Sequence, residues 1–438
     1  MAFIHNSSEE CTKSELDLFQ ISPTQTCVES SMYVEVPPLS ALSPNAPVEF
    51  YITGASEFYL DLSHSLLFLC CKITKADGSN MADAAKTGLV NYPIASLFSQ
   101  LDVTLGDRLI SQSHNCYPYR AILELLLNYS ADALSTQFAA GGFYKDAYQT
   151  MESTSLAAGE GNWGFKSRAH QTAGSRTWDL MGPLHSDIFF QDKMLLNGVD
   201  VKIKLTRSKD AFCLMSGDDN ANYTVHILNA ALFVKRVKVS PGVRLGHSEA
   251  LLTSNAKYPV ERIGMKVFSI AAGSLVCNQE NLFLGQLPKK LVIGFVDNEA
   301  FSGQYTRNPF NFKHYNVNFV ALYVDGVQTP SKPLQPNFRD NLCVREYMQL
   351  AKATGRSMKD LDIAINRHEF LQGYTLYVFD LTPDQACSDH YSLIRTGNLR
   401  AEIRFAVPLP NTINMILYGV FDNVIEINHS RNVLFDYM

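Results

Sequence analysis

No stretch of this chain stays apolar for long. The best candidate for a membrane span, Leu66 to Cys71 (LLFLCC), is closed by Ser65 and Lys72. A spanning helix needs about 20 apolar residues, so this run suits a buried strand instead. An excess of positive charge is also missing. Lys and Arg number 37 against 43 Asp and Glu, a net charge of −6. A protein that coats nucleic acid over a broad surface needs a basic face, so that class is disfavoured. The densest basic stretch, VKRVKV (Val234 to Val239), alternates cations with apolar residues. It reads as a half-buried strand with a solvated face.

Secretion signals are lacking as well. The start, MAFIHNSSEECTKSELDLF, has acids where a basic n-region belongs and no apolar core. The nine cysteines are scattered, odd in number and free of any CxxC pair. They are expected to be reduced residues of a protein made inside the cell and not secreted. The four NxS/T sequons, at Asn6, Asn128, Asn222 and Asn428, then carry no meaning.

Chemistry-bearing motifs are scarce. There is no GxxxxGK[ST] loop, HExxH, GxSxG or EF-hand pattern. GEGNWG (Gly159 to Gly164) matches GxGxxG formally, but it follows no clear strand and is not expected to open a helix. His114 and Cys116 could begin a metal site with Cys343, yet no second pair at ligand spacing joins them. Packing cysteines are the plainer reading. RHEF (Arg367 to Phe370) and SDH (Ser388 to His390) each set a His beside an acid and read as polar turns. No catalytic, cofactor-binding or metal-ligating residue is assigned, and neither a cofactor nor an enzymatic activity is expected.

What the chain does contain is β pattern and apolar material, 46% of 438 residues. That length favours two domains. Residues 1–47 read as an arm, polar first and then Pro-rich, extended rather than sheet-central. From Glu57 strands follow one another, and YRAILELLLNY (Tyr119 to Tyr129) suggests a short helix. Residues 130–178 are rich in Ala, Gly, Ser and Thr and read as a long surface excursion. Strands resume with DIFF, VDVKIKL and YTVHILNAALFVKRVKV. After Ser240-Pro241-Gly242 the style repeats through ERIGMKVFSI, LPKKLVIGFV and VNFVALYVDG. A Pro-rich loop (TPSKPLQPNF), a helix candidate (VREYMQLAKAT), YTLYVFDL, LRAEIRFAV and NMILYGVFDNVIEI complete it.

Three strand pairs recur in one order. Leu101, Val103 and Leu105 align with Val320, Leu322 and Val324, an offset of 219. Their turns are Gly106-Asp107 and Asp325-Gly326, both suited to positive φ in a tight hairpin. Val201, Ile203 and Leu205 align with Ala401, Ile403 and Phe405, an offset of 200. Phe233, Val237 and Val239 align with Phe421, Ile425 and Ile427, an offset of 188. Shrinking offsets in a fixed order point to a duplication whose first copy carries longer loops. Each half offers about eight short strands with variable connections, the pattern of a jelly roll. The expected fold is all-β, with two tandem jelly rolls at 48–245 and 246–438 behind the arm.

QYTRNPFNFKHYNVNF (Gln304 to Phe319) interleaves aromatics with Arg307, Lys313 and His314. Such a loop could stack single-stranded bases; with this acidic net charge, packing against a neighbouring subunit is favoured.

SELDLF…PTQT, EFYLDLSHSLLFLCCKI and LFSQLDVTLGDRLIS…YPYRAILELLLNY resemble the major capsid protein of Polinton/Maverick elements and the related adintoviruses. NLFLGQLPKKLVIGFVDNEAFSGQYTRNPFNFKHYNVNFVALYVDG and PSKPLQPNF are similar to the same family. The resemblance runs from about Ser14 to Phe435 and is weakest in 130–178. It implies a double jelly-roll capsid subunit that forms homotrimers of pseudo-hexagonal outline, which tile an icosahedral shell. It also implies capsomer–capsomer contacts, penton or minor capsid partners, and only indirect contact with packaged double-stranded DNA. The implied location is the virion, assembled in the host cytoplasm or nucleus. The alternatives are a jelly-roll carbohydrate- or receptor-binding protein with its site on outer loops such as 130–178, and a cupin-like enzyme, which the dispersed histidines disfavour. The expected assembly surfaces are the arm, the 130–178 excursion and the 302–319 loop.

Overall fold

The computed structural model describes residues 4–44, 46–54, 57–385 and 390–435. The first half supplies β1 (Val28–Val36), β2 (Val48–Ile52), β3 (Tyr59–Lys75), β4 (Thr87–Leu89), β5 (Phe98–Leu105), β6 (Arg108–Gln112), β7 (Trp178–Gly182), β8 (Val201–Arg207), β9 (Leu214–Ser216) and β10 (Tyr223–Val239). The second supplies β11 (Ala256–Ile270), β12 (Val276–Gln279), β13 (Lys290–Asp297), β14 (Val317–Val324), β15 (Val327–Leu334), β16 (Leu376–Asp380), β17 (Leu399–Phe405), β18 (Ile413–Ile427) and β19 (Val433–Leu434). The helix Pro241–Thr253 joins the halves.

The first half pairs its strands as β1-β10-β3-β7 and β2-β8-β5-β6; the second pairs them as β11-β18-β13-β16 and β12-β17-β14-β15. With the short β4–β9 ladder and β19 set aside, the strands of each half can be counted one to eight. Both halves then read one-eight-three-six in one sheet and two-seven-four-five in the other. Two sheets face to face in this order form a jelly roll. The duplication is therefore a repeat of topology as well as of sequence.

Alternation builds each roll. Leu101, Val103 and Leu105 on β5 lie opposite Leu205, Ile203 and Val201 on β8, and all six are buried. Val320, Leu322 and Val324 on β14 lie opposite Ile403, Ala401 and Leu399 on β17. Both hairpins turn in two residues, Leu105 pairing with Arg108 and Val324 with Val327. Gly106 has φ 55°, and Asp325 and Gly326 have 50° and 83°, the positive values that tight hairpins require.

The register corrects the sequence alignment in two places. Leu105 faces Val201 and Val324 faces Leu399, so β8 and β17 correspond two residues away from the alignment of Val201 with Ala401. A slip of two keeps every side chain on its face, so the alternation alone does not detect it. Val239 and Ile427 each meet the first residue of the neighbouring edge strand. Phe233 and Phe421, however, are not equivalent. Phe421 packs in the interior of the second roll, while Phe233 is half-buried beside Phe68. The buried face of β10 changes here, from Leu232 and Val234 to Val237 and Val239, and opposite the change β3 runs from Leu66 to Asp61 while β10 runs only from Phe233 to Lys235, a bulge in β3.

Other segments also differ from expectation. DIFF forms a single 3₁₀ turn, Asp187–Phe190, not a strand. The Pro-rich stretch from Thr329 to Leu334 lies in the edge strand β15, where missing backbone donors are tolerated, and only Gln335 to Phe338 fall outside it. β1 lies within the stretch read as an arm and pairs with β10 from Val28 to Val36. It too is an edge strand, and it ends at Val36, just before Pro37 and Pro38.

β13 and β18 are buried on both faces. Leu291, Ile293 and Phe295 enter the core of the second roll, while Val292 and Val296 join the core shared with the first. Ile416, Tyr418 and Val420 do the same on β18. Continuous runs such as LVIGFV are the signature of two-sided burial. One face of a sheet of the second roll is thus a packing surface for the first.

Candidate assembly surfaces and the seam between the rolls

The helix Tyr117–Asn128 of the first roll lies at this seam, with every residue from Tyr117 to Leu127 buried. Tyr119 stacks on Phe301 at 5.5 Å between ring centroids and meets Phe310 edge-on at 5.7 Å. Phe310 and Phe312 are 2% and 0% exposed. The aromatic loop is therefore consumed inside the chain. It does not stand free for a neighbouring subunit, because its rings fill the gap between the rolls.

A charged network lies beside it. The buried Arg120 donates to Glu124 at 2.9 Å and to Asp187 at 2.7 Å. His185 Nδ1 lies 2.6 Å from the other oxygen of Glu124. Burial opposes the Glu124 charge, but Arg120 and His185 hold its carboxyl below the usual range. Asp187, sharing one cation, is pushed up by burial. The Ile263 N–H of β11 also donates to Asp187, so the network ties both rolls. Removing one member of such a set leaves a buried charge uncompensated.

The small-residue excursion is a second clamp rather than a surface loop. It contains the helices Ala131–Thr136 and Trp163–Thr172. Arg168, fully buried, donates to the Leu89 and Tyr144 carbonyls and to Asp146 at 2.7 Å. Asp146 also accepts from Asn162 at 2.9 Å and from Asn308 of the second roll at 3.0 Å. Glu152 pairs with Arg307 at 3.0 Å and Lys313 at 2.7 Å. Lys145 pairs with Glu369 at 2.6 Å, and the Tyr374 hydroxyl donates to the Asp146 carbonyl. Small residues dominate here because backbone packs on backbone. A Cβ on Gly164 would stand 2.5 Å from the Lys145 carbonyl oxygen.

The motifs singled out in the sequence take structural places. GEGNWG does open a helix, since Asn162 caps Trp163–Thr172 by accepting from the Phe165 N–H, and Gly164 serves the packing just described. RHEF is the first turn of the helix Arg367–Leu371, with a capping box between Asn366 and Glu369. Of SDH, Ser388 and Asp389 lie outside the described residues. Cys116 and Cys343 occupy the same position, the N-cap of each half's helix. Burial pushes their thiols up to about 12 and about 11. His114 is exposed and does not join them.

Sequence reasoning missed the two buried arginines. Arg120 and Glu124 had a signal, an i, i+4 ion pair on an otherwise apolar helix. Arg168 had none, because its partners come from residues 89, 144 and 146.

With the rolls locked together, large apolar side chains remain exposed elsewhere. On the arm Leu16, Leu18, Phe19 and Ile21 are 74–96% exposed. Leu342 before the helix Val344–Ala353 and Val344 and Met348 on it are exposed, as are Tyr391, Leu393 and Ile394 in the loop after Asp380. No described helix is long and apolar enough to cross a membrane.

No protein-family model matches the chain. The uncharacterised Caenorhabditis elegans protein F54H12.2 is 26% identical over 429 residues, 94% of this chain and 99% of its own. A chain of the Sputnik virophage superposes with a TM-score of 0.63 at 13% identity, over 100% of this chain and 95% of its own. The Faustovirus major capsid protein gives 0.61 at 8% identity, over 94% and 92%. The mavirus major capsid protein gives 0.57 at 12% identity, over 100% and 95%. Two rolls of one strand order, superposable from end to end on these chains, establish the fold: the protein is a double jelly roll.

Proposed function

We propose that the chain is a major capsid protein. In this reading it is a structural subunit that forms homotrimers, whose six rolls make a pseudo-hexagonal tile of an icosahedral shell. The observation that carries the reading is the seam. Two rolls of the same topology are fixed side by side by hydrogen bonds from Ile263 and Asn308 to buried carboxylates of the first roll, by the Lys145–Glu369 and Arg307–Glu152 pairs and by aromatic packing, so the chain forms one building block. The sequence resemblance to Polinton/Maverick and adintovirus capsid proteins and the fold shared with the mavirus and Faustovirus capsid proteins both support it. Penton or minor proteins would complete the shell, and packaged DNA would be enclosed without a dedicated site. We take the functional units to be an arm ending near Thr26, a first roll from Val28, the linker helix and a second roll from Ala256.

The test is size-exclusion chromatography with light scattering, followed by negative-stain microscopy. Three-chain particles of hexagonal outline are expected, closing into shells at higher concentration. A protein that stays monomeric across concentration and salt refutes the reading. Stable interfaces bury apolar and aromatic surface, commonly 1,200 Å² or more in total, so association should tolerate moderate salt.

A further inference from the structure

A groove of about 530 Å³ opens where the arm, the linker helix and both rolls meet. Its size lies within the ~300–1,000 Å³ typical of ligand pockets. Its walls are mainly apolar: Met194 and Leu196 from the first roll, Val243 and Leu251 from the linker helix, Tyr258 from the second roll. Its charged lining consists of Lys193 and Lys257, with no carboxylate among the described lining residues. Cys27 and Val28, the root of the arm, form one edge.

The arm has the complementary character. SELDLFQI (Ser14 to Ile21) brings Leu16, Leu18, Phe19 and Ile21 together with Glu15 and Asp17. Phe19 is 96% exposed and Ile21 is 93% exposed, a costly state for neighbouring large apolar side chains in water. The arm does not fill the groove of its own chain, since Leu16, Leu18, Phe19 and Ile21 stay exposed, and its root is anchored beside the groove. The Gln25 side chain accepts from the Val28 N–H at 2.7 Å and donates to the Val28 carbonyl at 3.0 Å. The Ser240 N–H holds the Cys27 carbonyl at 2.9 Å. Pro23 fixes its own φ and keeps Ser22 extended. A chain latched at 25–28 and extended at 22–23 is stiffened against folding straight back. Phe19 is eight residues from Cys27, a reach of at most about 29 Å, enough to cross to an adjacent molecule.

We propose that this groove receives the segment Leu16–Ile21 of a second copy of the chain, so that exchanged arms tie subunits together. The inference rests on the assembly reading above and names the contact that performs it. Apolar side chains enter the groove, while Glu15 and Asp17 meet Lys193 and Lys257. Because the groove spans both rolls and the linker, the visiting arm touches all three.

The test places a photo-crosslinking phenylalanine analogue at Phe19 in the full chain, a position whose near-complete exposure leaves the fold undisturbed. After irradiation of the assembled protein, a band of twice the chain mass is expected, with the arm joined to peptides containing Met194, Leu251 or Tyr258. In parallel, Leu18→Asp with Phe19→Asp should raise the concentration needed for association by about a hundredfold, since two apolar anchors are lost. Crosslinks within single chains mean each arm serves its own groove and overturn the exchange. Assembly with crosslinks to another surface, or unchanged by the double substitution, overturns the groove but leaves the capsid reading standing. A strictly monomeric protein overturns both.

Discussion

Asp146→Ala should be among the most damaging single changes in the protein. Asp146 accepts from Arg168 at 2.7 Å, Asn162 at 2.9 Å and Asn308 at 3.0 Å, and the Arg168–Asp146 pair is 0% and 1% exposed. Without the carboxylate, a buried guanidinium keeps only two carbonyl partners, and the Asn162 and Asn308 amides each lose one of two acceptors, keeping the Met151 carbonyl. Breaking a buried pair by removing one partner costs about 3–5 kcal/mol, against a total stability of about 5–15 kcal/mol. Asn308 belongs to the second roll, so the seam loosens as well. The assay is guanidinium unfolding at matched protein concentration, since assembly adds to apparent stability. Tryptophan fluorescence and far-UV circular dichroism are followed together. Both tryptophans, Trp163 and Trp178, belong to the first roll, whereas dichroism reports both rolls. The parent's two curves should coincide. The variant should unfold at lower denaturant with the curves parting. Asp146→Ala combined with Arg168→Met should recover about 1 kcal/mol or more, because no buried charge is left behind. A loss below about 1 kcal/mol for Asp146→Ala, or a double variant less stable than the single one, would refute the reasoning.

Other expectations concern pH, thiols and packing. Burial works against the charge of Asp61, but Lys235, His64 and Ser63 hold its carboxyl down at about 2. Its folded-state value is depressed, so its contribution is fully present above the ordinary value of 3.8 and is lost as pH falls toward about 2. Asp61→Asn should therefore flatten the fall of the thermal midpoint across that window; an unchanged slope would count against it. Burial pushes Cys71, Cys116 and Cys213 up to about 12, whereas Cys11 and Cys27 are exposed. Brief alkylation followed by peptide mapping should label the latter two and spare the former three, and early labelling of Cys116 contradicts its placement. Gly164→Ala puts a Cβ 2.5 Å from the Lys145 carbonyl oxygen and 2.6 Å from that of Tyr144. Backbone must shift, costing about 1–3 kcal/mol, and a melt identical to the parent's would show that the clamp is looser than described.

The sequence by itself determined the architecture. Strict alternation at Leu101-Val103-Leu105 and Val320-Leu322-Val324, closed by turns that need positive φ, defines strands and hairpins locally. Repetition in a fixed order then implies two rolls. Face and register are less legible. A two-residue slip leaves alternation intact, as in β8 and β17, and a bulge in a partner strand changes which face is covered, as opposite Phe233.

Only the tertiary structure decided how the rolls are joined. Composition marks 130–178 as a loop, because Gly and Ala carry little apolar surface. Yet those small residues let backbones approach closely enough to bury Arg168 and Asp146, which reach Asn308 across the seam. The aromatic loop 302–319 looks external for the same reason: its partner, Tyr119, lies nearly two hundred residues away. Alternation is a property of neighbours along the chain, so sequence carries it. A seam is made of contacts between distant segments, and these exist only once the fold has brought the segments together.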